Sequence, residues 1–310
     1  MRVALSTMWG IGRLGSFREF AEKAQAFGYT HIELNHQFPP AWLAEHDAGA
    51  LNGLDITISS VHDPCPNAPL EGGRYPWSFQ LAALDEDERR VAVAIAKGSI
   101  DLADRTGARA VVLHLGTTGW YGAEEQRLRQ LWTERGPQDA EFLQMREHLV
   151  GERALRQDAA VTQARRTLRE LTAYAGERGI RLGLENRQDY MELPGIEEMG
   201  TLLDEADPAV VGFWYDVGHA VLLDRLGFVP HERWLARYGP RLIGAHLHDV
   251  IGITDHRAPG VPGGTVPWDL VARSLPAAAL RVLEINQHTD EALVQRAAAF
   301  LREHGVLRSP

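Results

Sequence analysis

Short apolar runs in this chain repeatedly end on a side chain that can bind a metal ion or move a proton. VHDP carries His62, VLHLG His114, LGLEN Glu185, WYDVGH Asp216, GAHLHD His246 and LEIN Glu284, with HIELNH and Glu33 a weaker seventh case. A strand that only builds a core gains nothing by finishing on His, Glu or Asp. Strands that converge on a site at their carboxyl ends do gain. Glu185, Asp216, His246 and Glu284 end the last four runs in order. In a barrel those ends are neighbours around one rim, so three carboxylates and an imidazole can meet at a point. That mixture of oxygen and nitrogen suits Mn2+, Mg2+, Co2+ or Zn2+. Without a cation, three crowded carboxylates would raise one another's pKa steeply. The set therefore predicts a divalent ion.

A second tier surrounds these four. His62 and His114 end the third and fourth runs, His219 follows Asp216 at i+3, and Asp255 and His256 lie in the loop after the seventh. His248 alternates with His246 and so shares its face of the strand. Two roles are open to these histidines: ligands of additional ions, or the walls of a polar pocket. In the pocket reading, His219 and His248 bond substrate hydroxyls or orient ligands. His62, His114 and Arg257 shape the walls, with Glu33 a weaker candidate. Trp77, Trp120, Tyr121 and Trp132 lie in long connections, where aromatic rings can stack on a sugar-like substrate or pack the loop down.

Positioning these residues requires strands that alternate with helices. β-type runs at 3–8, 31–35, 55–62, 108–116, 180–186, 210–219, 242–249 and 280–286 each precede a helical stretch. Eight strand-plus-helix units at about 35–40 residues each predict an α/β fold, a (β/α)8 TIM barrel. No linker or shift in composition divides the chain, so residues 1–310 are expected to form a single domain. Gly28, Gly107, Gly179, Gly239 and Gly305 are expected to end helices. Residues 63–85 and 117–151 are too long for scaffold; the second predicts a loop with one or two short helices. Such loops usually line or cover a site.

Composition narrows the function. The content of 45% hydrophobic and 24% charged residues is that of a globular protein, and the net charge of −10 opposes broad binding to nucleic acid or an anionic membrane. One cysteine, Cys65, excludes an intrachain disulfide framework and fits a reducing cytoplasm; it is expected to be a small buried residue. The amino-terminal apolar run is too short for a signal peptide, and no segment reaches the roughly 20 apolar residues of a membrane span. GIGRLG at 10–15 matches G-x-G-x-x-G, with Glu33 about 20 residues on. Polar and bulky Ser6, Thr7, Met8 and Trp9 stand where a Rossmann strand would run apolar into its first glycine. These glycines are instead expected to form a flexible first loop at the barrel mouth.

LGLEN, YDVGH, HLHD followed by DHRAPGVPGG and Trp268, and LEIN together resemble the xylose isomerase-like TIM-barrel superfamily, in strand order over nearly the whole chain. That group holds sugar phosphate isomerases and epimerases alongside endonuclease IV enzymes. The ketose-epimerase branch implies one divalent ion on Glu185, Asp216, His246 and Glu284, with Glu185 and Glu284 also moving the proton beside the substrate carbonyl. The endonuclease IV branch implies up to three zinc ions, adding His62, His114, His219 and His256. That branch carries Asp-x-His after strand seven, whereas Asp255 here is adjacent to His256. Metal-dependent isomerisation or epimerisation of a sugar, sugar phosphate or polyol-like ketone through an enediolate is the expected activity. A multinuclear zinc phosphoesterase and a catalytically silent metal- or sugar-binding barrel are the alternatives. The expected partner is a small carbohydrate, not nucleic acid or membrane, and a homo-oligomer is compatible with this fold.

Overall fold

A parallel sheet covered on both faces selects near-continuous Val, Ile, Leu and Ala, and all eight runs form strands. The computed structural model describes residues 3–119 and 121–307. The strands are β1 (Ala4–Ser6), β2 (His31–Leu34), β3 (Thr57–His62) and β4 (Ala110–Leu113). They continue as β5 (Arg181–Glu185), β6 (Val211–Asp216), β7 (Leu242–Leu247) and β8 (Leu280–Leu283). Each pairs in parallel with its chain neighbours, and β8 closes on β1. The fold is a TIM barrel.

The helices around it are α1 (Phe17–Ala26), α2 (Pro40–Asp47), α3 (Glu86–Thr106), α4 (Gly122–Arg135) and α5 (Ala140–Gly176). They continue as α6 (Ile196–Glu205), α7 (Val217–Arg225), α8 (His231–Tyr238), α9 (Trp268–Ser274) and α10 (Glu291–Glu303). Local chemistry sets their ends. In α3 the Asp85 carboxylate accepts the Glu88 N–H at 2.9 Å, three acidic residues occupy the first turn, and Gly107 ends the helix at φ 74°. Gly239 differs from expectation: its φ is −50°, helical, and it opens a 3-10 turn. The 117–151 region is also more regular than expected. Asp139 caps α5, which runs 37 residues unbroken through Gly151 into the scaffold. One glycine costs a helix only about 1 kcal/mol, and the buried face of α5 outweighs that.

The main core lies between the strands and the helices. A smaller one fills the barrel interior with Ala4, Ala110, Val112, Trp214, Ile243 and Val282. Alternation along a strand puts residue i−2 directly below residue i on the same face. Gly183, Trp214, Gly244 and Val282 therefore form the layer under Glu185, Asp216, His246 and Glu284. Trp214 spreads across that layer because its neighbours are glycines: a Cβ on Gly244 would lie 2.2 Å from its ring, and one on Gly183 2.8 Å. The GIGRLG loop is pinned rather than loose. Arg13 donates to the carbonyls of Thr289 (2.5 Å) and Gln287 (3.2 Å) and lies 4.8 Å over the Trp9 ring. Among the described residues, no helix is long and apolar enough to cross a membrane.

Candidate active site

Glu185 and Asp216 are the last residues of β5 and β6, His246 is the penultimate residue of β7, and Glu284 directly follows β8. Their ligand atoms all lie within 4.8 Å of one another, and all four side chains are buried. His246 is the hub. Its Nδ1 is 2.8 Å from Glu185 Oε1, 3.1 Å from Glu284 Oε2 and 3.7 Å from Asp216 Oδ2. Its other nitrogen, Nε2, is 3.1 Å from Glu33 Oε1 and 3.2 Å from Glu33 Oε2. Glu33 in turn accepts the Ser60 hydroxyl at 2.8 Å. A carboxylate in that position keeps a proton on Nε2 and frees the Nδ1 lone pair for a metal. Glu33→Gln should weaken metal affinity by about 10–100-fold. A competition titration against a fluorescent chelator measures it, and an unchanged affinity would refute the role.

The carboxylates are oriented from behind. Glu185 Oε2 accepts from His114 Nε2 at 2.5 Å and from Arg187 at 2.9 Å. Glu192 holds the Arg187 guanidinium at 3.0 and 3.2 Å. Asp216 accepts the backbone N–H of His219 at 2.8 Å as the cap of α7, and His248 Nε2 lies 3.0 Å from both its oxygens. Asn186 bonds the Asp216 backbone from both sides, donating to its carbonyl and accepting its N–H, each at 2.9 Å. Glu284 Oε1 accepts the Asn35 amide at 2.9 Å. His219 Nδ1 is 2.9 Å from the Asn186 carbonyl, which leaves Nε2 facing Asp255 at 3.8 Å.

Histidines take the place of the cation that the carboxylates demand. Burial pushes Glu185 up, yet the charged His246 and a hydrogen bond from His114, itself held low by burial and Arg187, outweigh it and hold the carboxyl well below the usual range. His246 and His256 do the same for Glu284, and His219 and His248 for Asp216. The expected mutual raising of the three pKa values is thus reversed. In return, although burial works against it, His246 is raised well above the ordinary imidazole value by Glu284, Glu33 and Glu185. Below that raised pKa a proton closes Nδ1 to a metal; above it the nitrogen is open. Metal uptake should therefore release protons, with affinity rising with pH through and above neutrality. Calorimetry in buffers of different ionisation enthalpy tests this, and a pH-independent affinity would contradict it.

Residues 21–304 match the family model described as xylose isomerase-like TIM barrel. The chain belongs to this family. A relative, the uncharacterized protein y4fM of Sinorhizobium fredii (strain NBRC 101917 / NGR234), is 25% identical over 276 residues, 86% of this chain and 73% of that protein. Among solved structures, a D-tagatose 3-epimerase-like protein aligns with TM-score 0.64 at 18% identity, covering 98% of this chain and 97% of that one. The IOLI protein, solved with a bound zinc atom, aligns with TM-score 0.64 at 13% identity over 98% of each chain. Both share the fold.

In this xylose isomerase-like barrel, a cavity of about 900 Å3 opens over Glu185 and Glu284. His62, His114, Glu185, His219, His256 and Glu284 line it. His256, at φ 54°, places Nδ1 3.0 Å from Asp255 and Nε2 3.4 Å from Glu284. The adjacent Asp–His pair thus stays close, and Asp216, His219 and His256 make a further group able to hold an ion. Glu33, His248 and Arg257 do not line the cavity. Glu33 and His248 are buried behind His246 and Asp216, and His248 bonds Asp216 in the way its orienting alternative anticipates. Arg257 is on a hairpin strand, Thr254–Arg257, where the antiparallel register sets it opposite Asp249 and outside the cavity lining. Trp120 lies outside the described residues. Trp132 donates to the Arg225 carbonyl at 3.0 Å and Tyr121 to Glu152, so they tie α4 to α7 and α5. Cys65 is buried as expected. The sequence reading missed Arg187, whose signal was its position two residues past Glu185. It also missed His36, which ends HIELNH and lies 5.0 Å from the His62 ring; its Nδ1 is buried without a partner among the described residues.

Proposed function

We propose that this barrel is a divalent-metal-dependent isomerase or epimerase of a keto sugar or sugar-like ketone. The observation that carries the reading is that Glu185 and Glu284 turn one oxygen each toward His246 Nδ1 while both line the same cavity. The donor set fits a divalent ion, since Glu284 and Glu185, with Glu33 behind them, already draw a proton onto the His246 imidazole against its burial. Glu185, Asp216, His246 and Glu284 would hold it. A divalent ion held there would supply Lewis acidity toward a substrate carbonyl and so make the neighbouring C–H more acidic. Glu185 ends β5 and Glu284 follows β8, on either side of β6 and β7, so one carboxylate takes a proton from the carbon beside the carbonyl and the other returns it. His62 and His219 present ring edges to substrate hydroxyls. Arg187 and His114 hold the far oxygen of Glu185 in place.

Candidate ketoses incubated with Mn2+-loaded protein in D2O should take up deuterium at the carbon beside the carbonyl, and chelation should stop it. No exchange with any ketose would end the isomerase reading and favour a silent binding barrel. A specific observation also supports a zinc phosphoesterase of the endonuclease IV type. His62, Glu185 and His246 form one additional ligand group, and Asp216, His219 and His256 another. Metal analysis separates the two: about one ion per chain supports the isomerase, and two or three zinc ions support the phosphoesterase.

A further inference from the structure

TIM barrels that act on phosphorylated substrates commonly hold the phosphate on loops after the seventh and eighth strands. In this chain that place is taken by the protein's own anion. The loop from β7 to α9 carries PGVPGGTVPW, and its backbone donors converge on Asp249. Oδ1 accepts the N–H groups of Thr265 (2.8 Å), Val250 (2.9 Å) and Val266 (3.1 Å). Oδ2 accepts the Trp268 indole N–H at 3.2 Å. A Cβ on Gly264 would sit 2.5 Å from this carboxylate, so glycine is what lets the loop close down on it. Asp249 is only 2% exposed. A phosphate brought here would have to displace a buried, fourfold hydrogen-bonded carboxylate.

The cavity offers no second place for it. Among the described residues that line it, Arg187 is the sole guanidinium and there is no lysine. The Arg187 donors are engaged by Glu185 and Glu192. Asp63, Glu192, Glu185 and Glu284 line the same space, so a phosphate would meet several carboxylates and no uncommitted cation. The His62 and His256 rings in the lining already face carboxylates, His62 at 3.6 Å from Glu185 and His256 at 3.0 Å from Asp255 and 3.4 Å from Glu284. Two polar atoms of the lining, Asn67 Oδ1 and His36 Nδ1, are buried without a partner among the described residues. They suit hydroxyl groups.

Part of the lining is apolar, contributed by Met8, Ile11, Phe79, Leu81 and Ile95, and Trp77 lines the cavity as well. Trp77 is 62% exposed, its ring stacked on Tyr75 at 6.5 Å. Small-molecule sites span roughly 300–1,000 Å3, and about 900 Å3 is near the top of that range. A single sugar ring at the carboxylates would leave much of that volume and its apolar lining unfilled. Resting on the isomerase reading, we infer that the substrate is an uncharged keto-glycoside. Its sugar ring sits at Glu185 and Glu284, and its neutral aglycone or second ring lies against Phe79 and Trp77. A glycoside cannot open to a chain, so the carbonyl is on a ring carbon.

The test titrates Mn2+-loaded protein with phenyl 3-keto-glucoside, D-fructose and D-fructose 6-phosphate, with deuterium uptake followed in parallel. The glucoside should bind at least about tenfold tighter than fructose, and the phosphate ester more weakly than fructose. Trp77→Ala should weaken the glucoside about fivefold and leave fructose unchanged, the scale of one aromatic contact. An ester that binds tighter than fructose, or a glucoside that binds no tighter, overturns the inference. The expected binding order without deuterium uptake would support it and count against the isomerase reading alone.

Discussion

Glu185→Gln and Glu284→Gln should each lower turnover by about 10²–10⁴-fold, the range of a lost general acid or base, while the barrel still folds. Glutamine keeps the size and one acceptor oxygen but cannot take a proton. It also removes a negative charge from a set whose atoms lie within 4.8 Å of one another. The two variants differ in what they leave behind. In Glu185→Gln, Arg187 and His114 lose the charged partner they now share, whereas in Glu284→Gln the Asn35 amide can still donate to an oxygen. Metal loss should therefore be greater for the first. Turnover by deuterium exchange, metal content and thermal unfolding measured together separate chemistry from binding and folding. Near-normal turnover in either variant would remove that carboxylate from the proton-transfer role.

Trp214→Ala should cost about 3–5 kcal/mol of folding stability. The side chain is fully buried in the barrel interior, and its ring lies 5.2 Å from the His246 ring directly beneath the ligand set. Gly183 and Gly244 give it room, so neither neighbour can swell to fill the space it leaves. The hole would open under His246, and a site held by packing loosens when its floor goes. Metal affinity should fall along with stability. Trp214→Phe should recover most of both, because the indole Nε1 has no hydrogen-bond partner among the described residues to lose. Denaturant titration gives the size of the effect. A loss under about 1 kcal/mol for alanine would mean that the layer beneath the site repacks freely.

The eight strands were legible because each is a local run of β-type residues bounded by turn or helix signals, and β5 through β8 announced themselves by their polar last residues. The helix over 140–176 was less so, since Gly151 and the many charged residues of α5 hide a buried face that only its packing against α3 and α4 reveals. Glu33 was noticed for its strand-end position, but that position could not say whether it faced substrate or His246. Arg257 was expected on the pocket wall, but a two-stranded hairpin sets it opposite Asp249 and outside the cavity lining.

By itself the sequence determined the barrel and the identity of its rim, because strand period and strand-end chemistry are local properties of a few consecutive residues. The tertiary structure alone decided which atoms face one another. Glu33 reaches His246 across 213 positions of chain and Asn35 reaches Glu284 across 249. No local pattern encodes such a pairing. It arises when closure of the sheet brings β1 and β2 beside β7 and β8, and it sets which imidazole nitrogen is free. The loop donors gathered on Asp249 belong to the same class: a glycine-rich stretch in the sequence is an open anion site or a filled one only once the chain has folded around it.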